Sequence, residues 1–248
     1  MDDPRLGRIL GSGKEADVFE DGAVVVKLYK STAPKRSAFR EAAVLALVEP
    51  LGLPVPHVLG VKQFGDRWGV IMTRADGPSF ADVMLSQPDV IPTYLNEMAR
   101  LQARVHRYAS QHLPSLKAKL ATDIKEAPSL GEERQTTLLS GLATMPDGDR
   151  LCHGDFHPFN ILGRPGREIV IDWLNATLGD PAADVCRSYV LIRHVAPDVA
   201  AAYIDAYTAI ISGSRERILG WLPFVAAARL AEDVSEEEAG LLEMVGLR

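Results

Sequence analysis

One segment carries most of the chemistry available to this chain: Leu151-Cys152-His153-Gly154-Asp155-Phe156-His157-Pro158-Phe159-Asn160-Ile161-Leu162, followed by Ile169-Val170-Ile171-Asp172-Trp173. It sets a carboxylate, then an amide five residues on, then a second carboxylate at the end of a short apolar strand. Phosphoryl transfer asks for such groups. An acceptor oxygen must be oriented and relieved of its proton, and Mg²⁺ must be held against a polyphosphate by hard oxygen ligands. Asp155 suits the first task, and Asn160 and Asp172 suit the second. The same stretch admits another chemistry. His153, Asp155, His157 and Asp172 could ligate a transition metal in a hydrolase, because His-x-Asp-x-His on an extended segment puts three donors on one side. That reading leaves Asn160 and the upstream residues described next unused. A third class, a catalytically inactive nucleotide-binding module, is opposed by the retention of every transfer residue.

These groups need elements to position them. Upstream, Leu6, Ile9 and Leu10 lead into Gly11-Ser12-Gly13-Lys14-Glu15-Ala16; Val18-Phe19-Glu20 resumes the apolar pattern, and Asp21-Gly22 marks a hairpin turn before Ala23 to Tyr29. A glycine-rich hairpin is expected, whose backbone can approach a phosphate closely; a tight turn with no ligand is the plain alternative. Neither common phosphate loop fits. A P-loop fails because Arg8 stands where its first glycine should be and Glu15 follows Gly13-Lys14, and a dinucleotide loop fails because a strand follows rather than a helix. Lys27 ends a run of three valines, so strand alternation can turn it out of the core. Pro34 precedes an expected helix over 35–48, with Glu41 on it and Ala42, Leu45 and Val48 as its inner stripe. Alone, Lys27 would be a solvated strand-end lysine and Glu41 a helix-surface carboxylate.

Strands are expected over 58–64 and 68–73, around Gly65-Asp66. Beyond Ser79 the period becomes three to four residues: a long amphipathic helix over 94–108, a connection with a short helix over 114–131, and helices over 132–145, 182–195, 198–211, 215–231 and 235–245. His106, on the 94–108 helix, reads as structural. The acids Glu232, Asp233, Glu236, Glu237 and Glu238 read as a solvated helix start. The expected fold is α+β and bilobal: residues 1–75 form an antiparallel-sheet lobe that binds nucleotide, and residues 76–248 a mainly helical lobe carrying the catalytic and acceptor groups.

The chain resembles the aminoglycoside phosphotransferase family, which includes choline-kinase-like enzymes and shares the protein-kinase fold. The resemblance rests on His153, Asp155 and Asn160 in a His-x-Asp-x-x-x-x-Asn run, on Ile171-Asp172-Trp173, and on Gly179-Asp180-Pro181-Ala182-Ala183-Asp184. It implies ATP and Mg²⁺ as cofactors, with Gly11, Ser12 and Gly13 in the loop over the phosphates and Lys27 on the α- and β-phosphates, paired with Glu41. Ala16 departs from the family at the third glycine position. The resemblance further implies a hinge that binds adenine through the Thr73 carbonyl and the Ala75 amide, with Met72 behind it. His153 and Asp180 would brace the loop. Only Trp173 to Gly179 separate Asp172 from Asp180, too little for a protein-kinase activation segment. A small hydroxylated acceptor is implied instead.

Composition excludes other classes. Of 248 residues, 47% are apolar and 24% charged, as in ordinary globular domains. A net charge of −6 without a basic tract gives no footprint for nucleic acid. Residues 1–5 lack the basic start of a leader, and no apolar run approaches the ~18 residues of a membrane span, so no membrane partner is expected and the location by default is cytoplasmic. Cys152 and Cys186, without metal-ligand spacing, read as small buried residues. Nothing in the sequence speaks to oligomeric state.

Overall fold

The computed structural model describes residues 6–109 and 112–246; the leader reading of residues 1–5 falls outside them. The chain divides into two compact units, Met1–Asp82 with Phe159–Leu174, and Val83–Pro158 with Asn175–Arg248.

The first unit is built on a five-stranded antiparallel sheet of β1 (Ile9–Ser12), β2 (Ala16–Asp21), β3 (Val24–Tyr29), β4 (Val58–Phe64) and β5 (Arg67–Thr73), in the order β1-β2-β3-β5-β4. The β2–β3 turn requires left-handed backbone, which Gly22 supplies at φ 64°. Alternation along β3 puts Val26 and Leu28 into a core with Phe19 and Phe64, and Lys27, between them in sequence, onto the other face. The helix α1 (Lys35–Val48) packs against β4 and β5. Its buried stripe is Ser37, Ala38, Glu41, Val44, Leu45 and Val48, the three- and four-residue spacing of a single helix face. Glu41 sits in the middle of that stripe, which is why a carboxylate ends up 1% exposed. The short hairpin β7 (Ile161–Leu162) and β8 (Ile169–Val170) completes the unit.

The helix α2 (Phe80–Ser86) carries the chain into the second unit. There α3 (Ile91–Val105) packs on α7 (Pro197–Ile210), and α6 (Pro181–Arg193) on α7 and α9 (Leu222–Leu230). The helix α4 (Leu116–Glu126) packs on α9 and α5 (Glu132–Thr144), while α10 (Glu238–Met244) closes on α9. Two short strands, β6 (Arg150–Cys152) and β9 (Thr177–Gly179), pair antiparallel at the start and end of the sequence that holds the conspicuous motifs. The helix expected over 215–231 is two helices, α8 (Arg215–Leu219) and α9. Pro223 explains the break: it has no N–H to donate, and its ring would clash with the carbonyl of Leu219 in a continuous helix. No helix among the described residues is long and apolar enough to cross a membrane.

Candidate active site

In the first unit the Lys27 ammonium donates to Glu41 Oε1 (2.9 Å) and to Asp172 Oδ1 (2.8 Å). Glu41 Oε2 accepts from the Tyr29 hydroxyl at 2.5 Å. Burial pushes the Glu41 carboxyl up, and Lys27 and Tyr29 pull it back only in part because the Asp172 charge lies close by. Burial alone would lower the Lys27 ammonium, but the Glu41 and Asp172 carboxylates outweigh it and hold the group above the ordinary lysine range. Lys27 is thus a cation fixed by a buried anchor on one side. On the other side stands Asp172, whose side chain keeps 36% exposure and can serve a ligand. Asp172 has φ 62°, a left-handed backbone rare for a residue with a Cβ. Trp173, fully buried with its indole N–H on the Val170 carbonyl, fixes the next residue.

Asn160 is 8% exposed at the end of a 3-10 turn, Pro158–Asn160, and its carbonyl accepts from the Ile171 N–H (2.9 Å). The β7–β8 pairing therefore ties the stretches that bear Asn160 and Asp172 into one body. Both residues offer hard oxygens, which fit Mg²⁺ and not a thiophilic metal.

Elsewhere in this unit, the Gly13 N–H bonds the Ala16 carbonyl (2.8 Å), the Ser12 hydroxyl donates to Asp17 (2.6 Å) and Lys30 Nζ donates to the Gly13 carbonyl (2.6 Å). So the Gly13 amide closes the hairpin. At Gly11 a Cβ would meet nothing within 4 Å. Met72 is buried in β5. Thr73 ends that strand, its N–H on the His57 carbonyl (2.9 Å) and its hydroxyl accepting from the His57 N–H (2.8 Å); Ala75 lies just past it and half-buried.

The second unit holds the Asp155 loop. Strand β6 delivers His153-Gly154-Asp155, and Asp184, at the start of α6 and 0% exposed, anchors the loop from behind. Its carboxylate accepts from the Gly154 N–H (2.8 Å), the His153 N–H (3.2 Å), Gln102 Nε2 (2.9 Å) and His106 Nε2 (2.9 Å). Since a carboxylate only accepts, His106 Nε2 carries a proton toward Asp184, and Nδ1 shares a hydrogen bond with the Tyr207 hydroxyl (2.7 Å). Burial would raise Asp184; His106, the Gly154 N–H and His153 reverse the sign and depress it. His106 is structural in this sense. Gly154 needs its glycine twice over, because φ is 81° and a Cβ would stand 2.4 Å from the Asn175 carbonyl oxygen.

The Asp155 N–H donates to His153 Nδ1 (3.2 Å). Its carboxylate has His157 Nε2 at 3.5 Å and Arg187 Nη2 at 3.9 Å. Burial would raise this carboxyl; His157, Arg187 and His153 together overcome that and hold it well below the usual carboxylate range. Asp180 caps α6 by accepting from the Ala182 N–H (2.9 Å), and Arg217 reaches both of its oxygens (3.0 and 3.1 Å).

Among the described residues, the one group of three side chains spaced to hold a metal is His106, Cys152 and Asp184. Both His106 nitrogens are already bonded, and burial raises the Cys152 thiol, which keeps it protonated. The His153-Asp155-His157 set does not gather in this way, and His153 Nδ1 is taken by a backbone N–H. Cys152 and Cys186 are both buried and free.

Of the acids expected to form a solvated helix start, Asp233, Glu236 and Glu238 are exposed, whereas Glu232 and Glu237 are drawn into ion pairs. Glu232 binds Arg187 Nη2 (2.5 Å) and Arg229, and Glu237 binds Arg229 through both oxygens (2.8 and 2.6 Å). Gln102 and Arg187 stand in no motif and carry no signal of their own in the sequence. A helical arginine acquires meaning only when its neighbours in space are known.

The family model described as "Phosphotransferase enzyme family" matches residues 7–221. Similar solved structures include a thermostable mutant of aminoglycoside phosphotransferase APH(4)-Ia in ternary complex with ADP and hygromycin B, at 18% identity and TM-score 0.70, covering 94% of this chain and 88% of that one. An aminoglycoside-3'-phosphotransferase of type VIII has 20% identity and TM-score 0.65, with 91% of each chain covered. A choline/ethanolamine kinase family protein from Mesorhizobium loti has 17% identity and TM-score 0.66, covering 97% and 87%. The fold is therefore protein-kinase-like. No curated protein sequence matches.

Proposed function

The chain belongs to the phosphotransferase enzyme family, and from that premise we propose that it moves the γ-phosphoryl group of Mg-ATP to a hydroxyl of a small molecule in the cytoplasm. The acceptor class is an aminoglycoside-like antibiotic, a sugar or an amino alcohol. The observation that carries this is Lys27, clamped between the buried Glu41 and the accessible Asp172. A fixed ammonium beside an available carboxylate suits a phosphate chain and its metal. Fold relatives crystallised with ADP and hygromycin B, or with ATP and streptomycin, support nucleotide use and a small acceptor.

In this mechanism Lys27 binds the α- and β-phosphates, and Gly11, Ser12 and Gly13 cover them. The backbone of Thr73 and Ala75 takes the adenine edge, with Met72 behind it. Asn160 and Asp172 would hold Mg²⁺, which when bound neutralises charge on the β- and γ-phosphates. Asp155 accepts a hydrogen bond from the acceptor hydroxyl, orients its oxygen and takes its proton as the oxygen–phosphorus bond forms. A depressed aspartate is a weak base, adequate because a loose transition state releases that proton late. Asp184 keeps the Asp155 loop in place through the Gly154 and His153 amides. The test is a coupled assay of ATP consumption over hydroxylated metabolites and aminoglycosides, with Asp155→Asn as control. Acceptor-dependent turnover that the variant lacks supports the reading; acceptor-independent hydrolysis that survives in the variant contradicts it.

A further inference from the structure

Beside the Asp155 loop, the second unit contains a cavity of about 40 Å³ lined by Gly154 and Asn175, by Lys119 and Asp123 of α4, by Arg187 of α6 and by Glu232 just past α9. Apolar side chains of α4 and α9 fill in the rest. Arg187 reaches from this wall toward Asp155 (3.9 Å), so a molecule seated here lies next to the proposed base.

The wall's charges cancel. Lys119 pairs with Asp123 (2.7 Å) and Arg187 with Glu232 (2.5 Å), giving two cations and two anions. A polycation entering such a site gains no net attraction and meets two fixed positive groups. An anion meets the mirror problem. A ligand that carries one charge of each sign can exchange partners with both pairs and leave no charge unmatched.

The pairs are also built for exchange. Glu232 is shared with Arg229, so a ligand carboxylate that takes the Arg187 fork leaves Glu232 with a guanidinium still bound to it. Lys119, with 36% of its side chain exposed, can turn to water and release Asp123 to a ligand ammonium. Arg187, at 12% exposure, cannot turn away as readily, and its planar fork suits a carboxylate. A volume of about 40 Å³ is only a few times what a single water needs. It suits a small charged head and not a ring system.

We infer that the acceptor is a small hydroxylated zwitterion, an amino alcohol that also bears a carboxylate, with the carboxylate on Arg187, the ammonium on Asp123 and the hydroxyl toward Asp155. This rests on the phosphotransfer reading above and narrows its acceptor. Arg187 and Asp123 are then its specificity determinants.

The experiment compares kcat/KM in a coupled ATP-consumption assay for hydroxylated α-amino acids, the matching amino alcohols without carboxylate, the matching hydroxy acids without amine, and hygromycin B. Calorimetric titrations of the same probes and of Mg-ATP run beside it. The best hydroxy amino acid should exceed its two truncated analogues by at least ~10-fold each, the scale of a lost charge-assisted contact. Arg187→Gln should collapse its advantage over the amino alcohol, and Asp123→Asn its advantage over the hydroxy acid. Ratios between acceptors cancel any effect of Arg187 on Asp155, and Arg187→Lys, which keeps the charge but loses the fork, should fall between. Preference for hygromycin B or an amino alcohol, or ratios unmoved by either variant, would overturn the inference while leaving phosphotransfer intact. If Mg-ATP fails to bind, phosphotransfer falls instead, and the direct titrations still decide what the cavity prefers.

Discussion

Replacing Lys27 by Met removes the ammonium that bonds both Glu41 and Asp172 while keeping most of the side-chain volume. Glu41 is then a 1%-exposed carboxylate with the Tyr29 hydroxyl as its remaining close donor, near the Asp172 charge. Breaking a buried pair from one side typically costs about 3–5 kcal/mol. With ~2–4 °C of melting temperature per kcal/mol in a chain of this size, the expected drop at pH 8 is about 6–20 °C. The pH dependence follows from the sign of the Glu41 shift. Its carboxyl is raised in the folded protein, chiefly by burial, so the stability it contributes is present below the ordinary glutamate value and is lost as pH rises through the folded value. Without Lys27 the folded value rises further, and the variant's deficit should shrink markedly between pH 8 and pH 5 as Glu41 takes up a proton. Thermal melts of the nucleotide-free protein and of Lys27→Met across that range measure it; adding Glu41→Gln should restore most of the loss at pH 8. A variant melting within 2 °C of the parent at every pH, a margin of about 1 kcal/mol, would refute the claim that Lys27 compensates a buried charge.

His157→Gln removes a leading cause of the depressed Asp155 carboxyl, so that carboxyl should climb toward its ordinary range and an acid limb should move up in the pH profile of kcat/KM; an unmoved profile would show that His157 does not act on the base. Gly154→Ala puts a Cβ 2.4 Å from the Asn175 carbonyl, and turnover should fall by at least ~10-fold while Mg-ATP affinity, measured by calorimetry, holds. Asp184 is depressed, so its stabilisation is present above the ordinary aspartate value and lost as pH falls toward its folded value. Asp184→Asn should lower stability to urea by ~3 kcal/mol at pH 7, and the gap should narrow below about pH 4.

Sequence patterns reached the first unit well, because alternation in β3 and the stripe of α1 are local. They turn Lys27 off the core face and place Glu41 on a helix, and the pair then closes at 2.9 Å. What they missed depends on distant packing. Asp184 stands in the Gly179–Asp184 motif, yet the donors to it come from α3, from His106 at its end and from the Asp155 loop, tens of residues away. The charges at 232 and 237 look solvated in sequence because their partners, Arg187 and Arg229, lie on helices whose orientation only the fold supplies. Within α8–α9 the error was local: Pro223 forbids the continuous helix, but the apolar spacing runs through it.

The central claim divides labour between Asp155, which serves the acceptor, and Asp172, which serves the nucleotide's metal. Calorimetric titration of Mg-ATP into Asp155→Asn and Asp172→Asn, with turnover measured on the same samples, tests it most directly. Asp155→Asn should bind Mg-ATP nearly as the parent does and turn over ~10²–10⁴-fold more slowly, the range of a lost general base. Asp172→Asn should lose both Mg-ATP affinity and turnover. If Asp155→Asn loses metal-nucleotide affinity as severely as Asp172→Asn, Asp155 is a metal ligand and the division of roles is wrong.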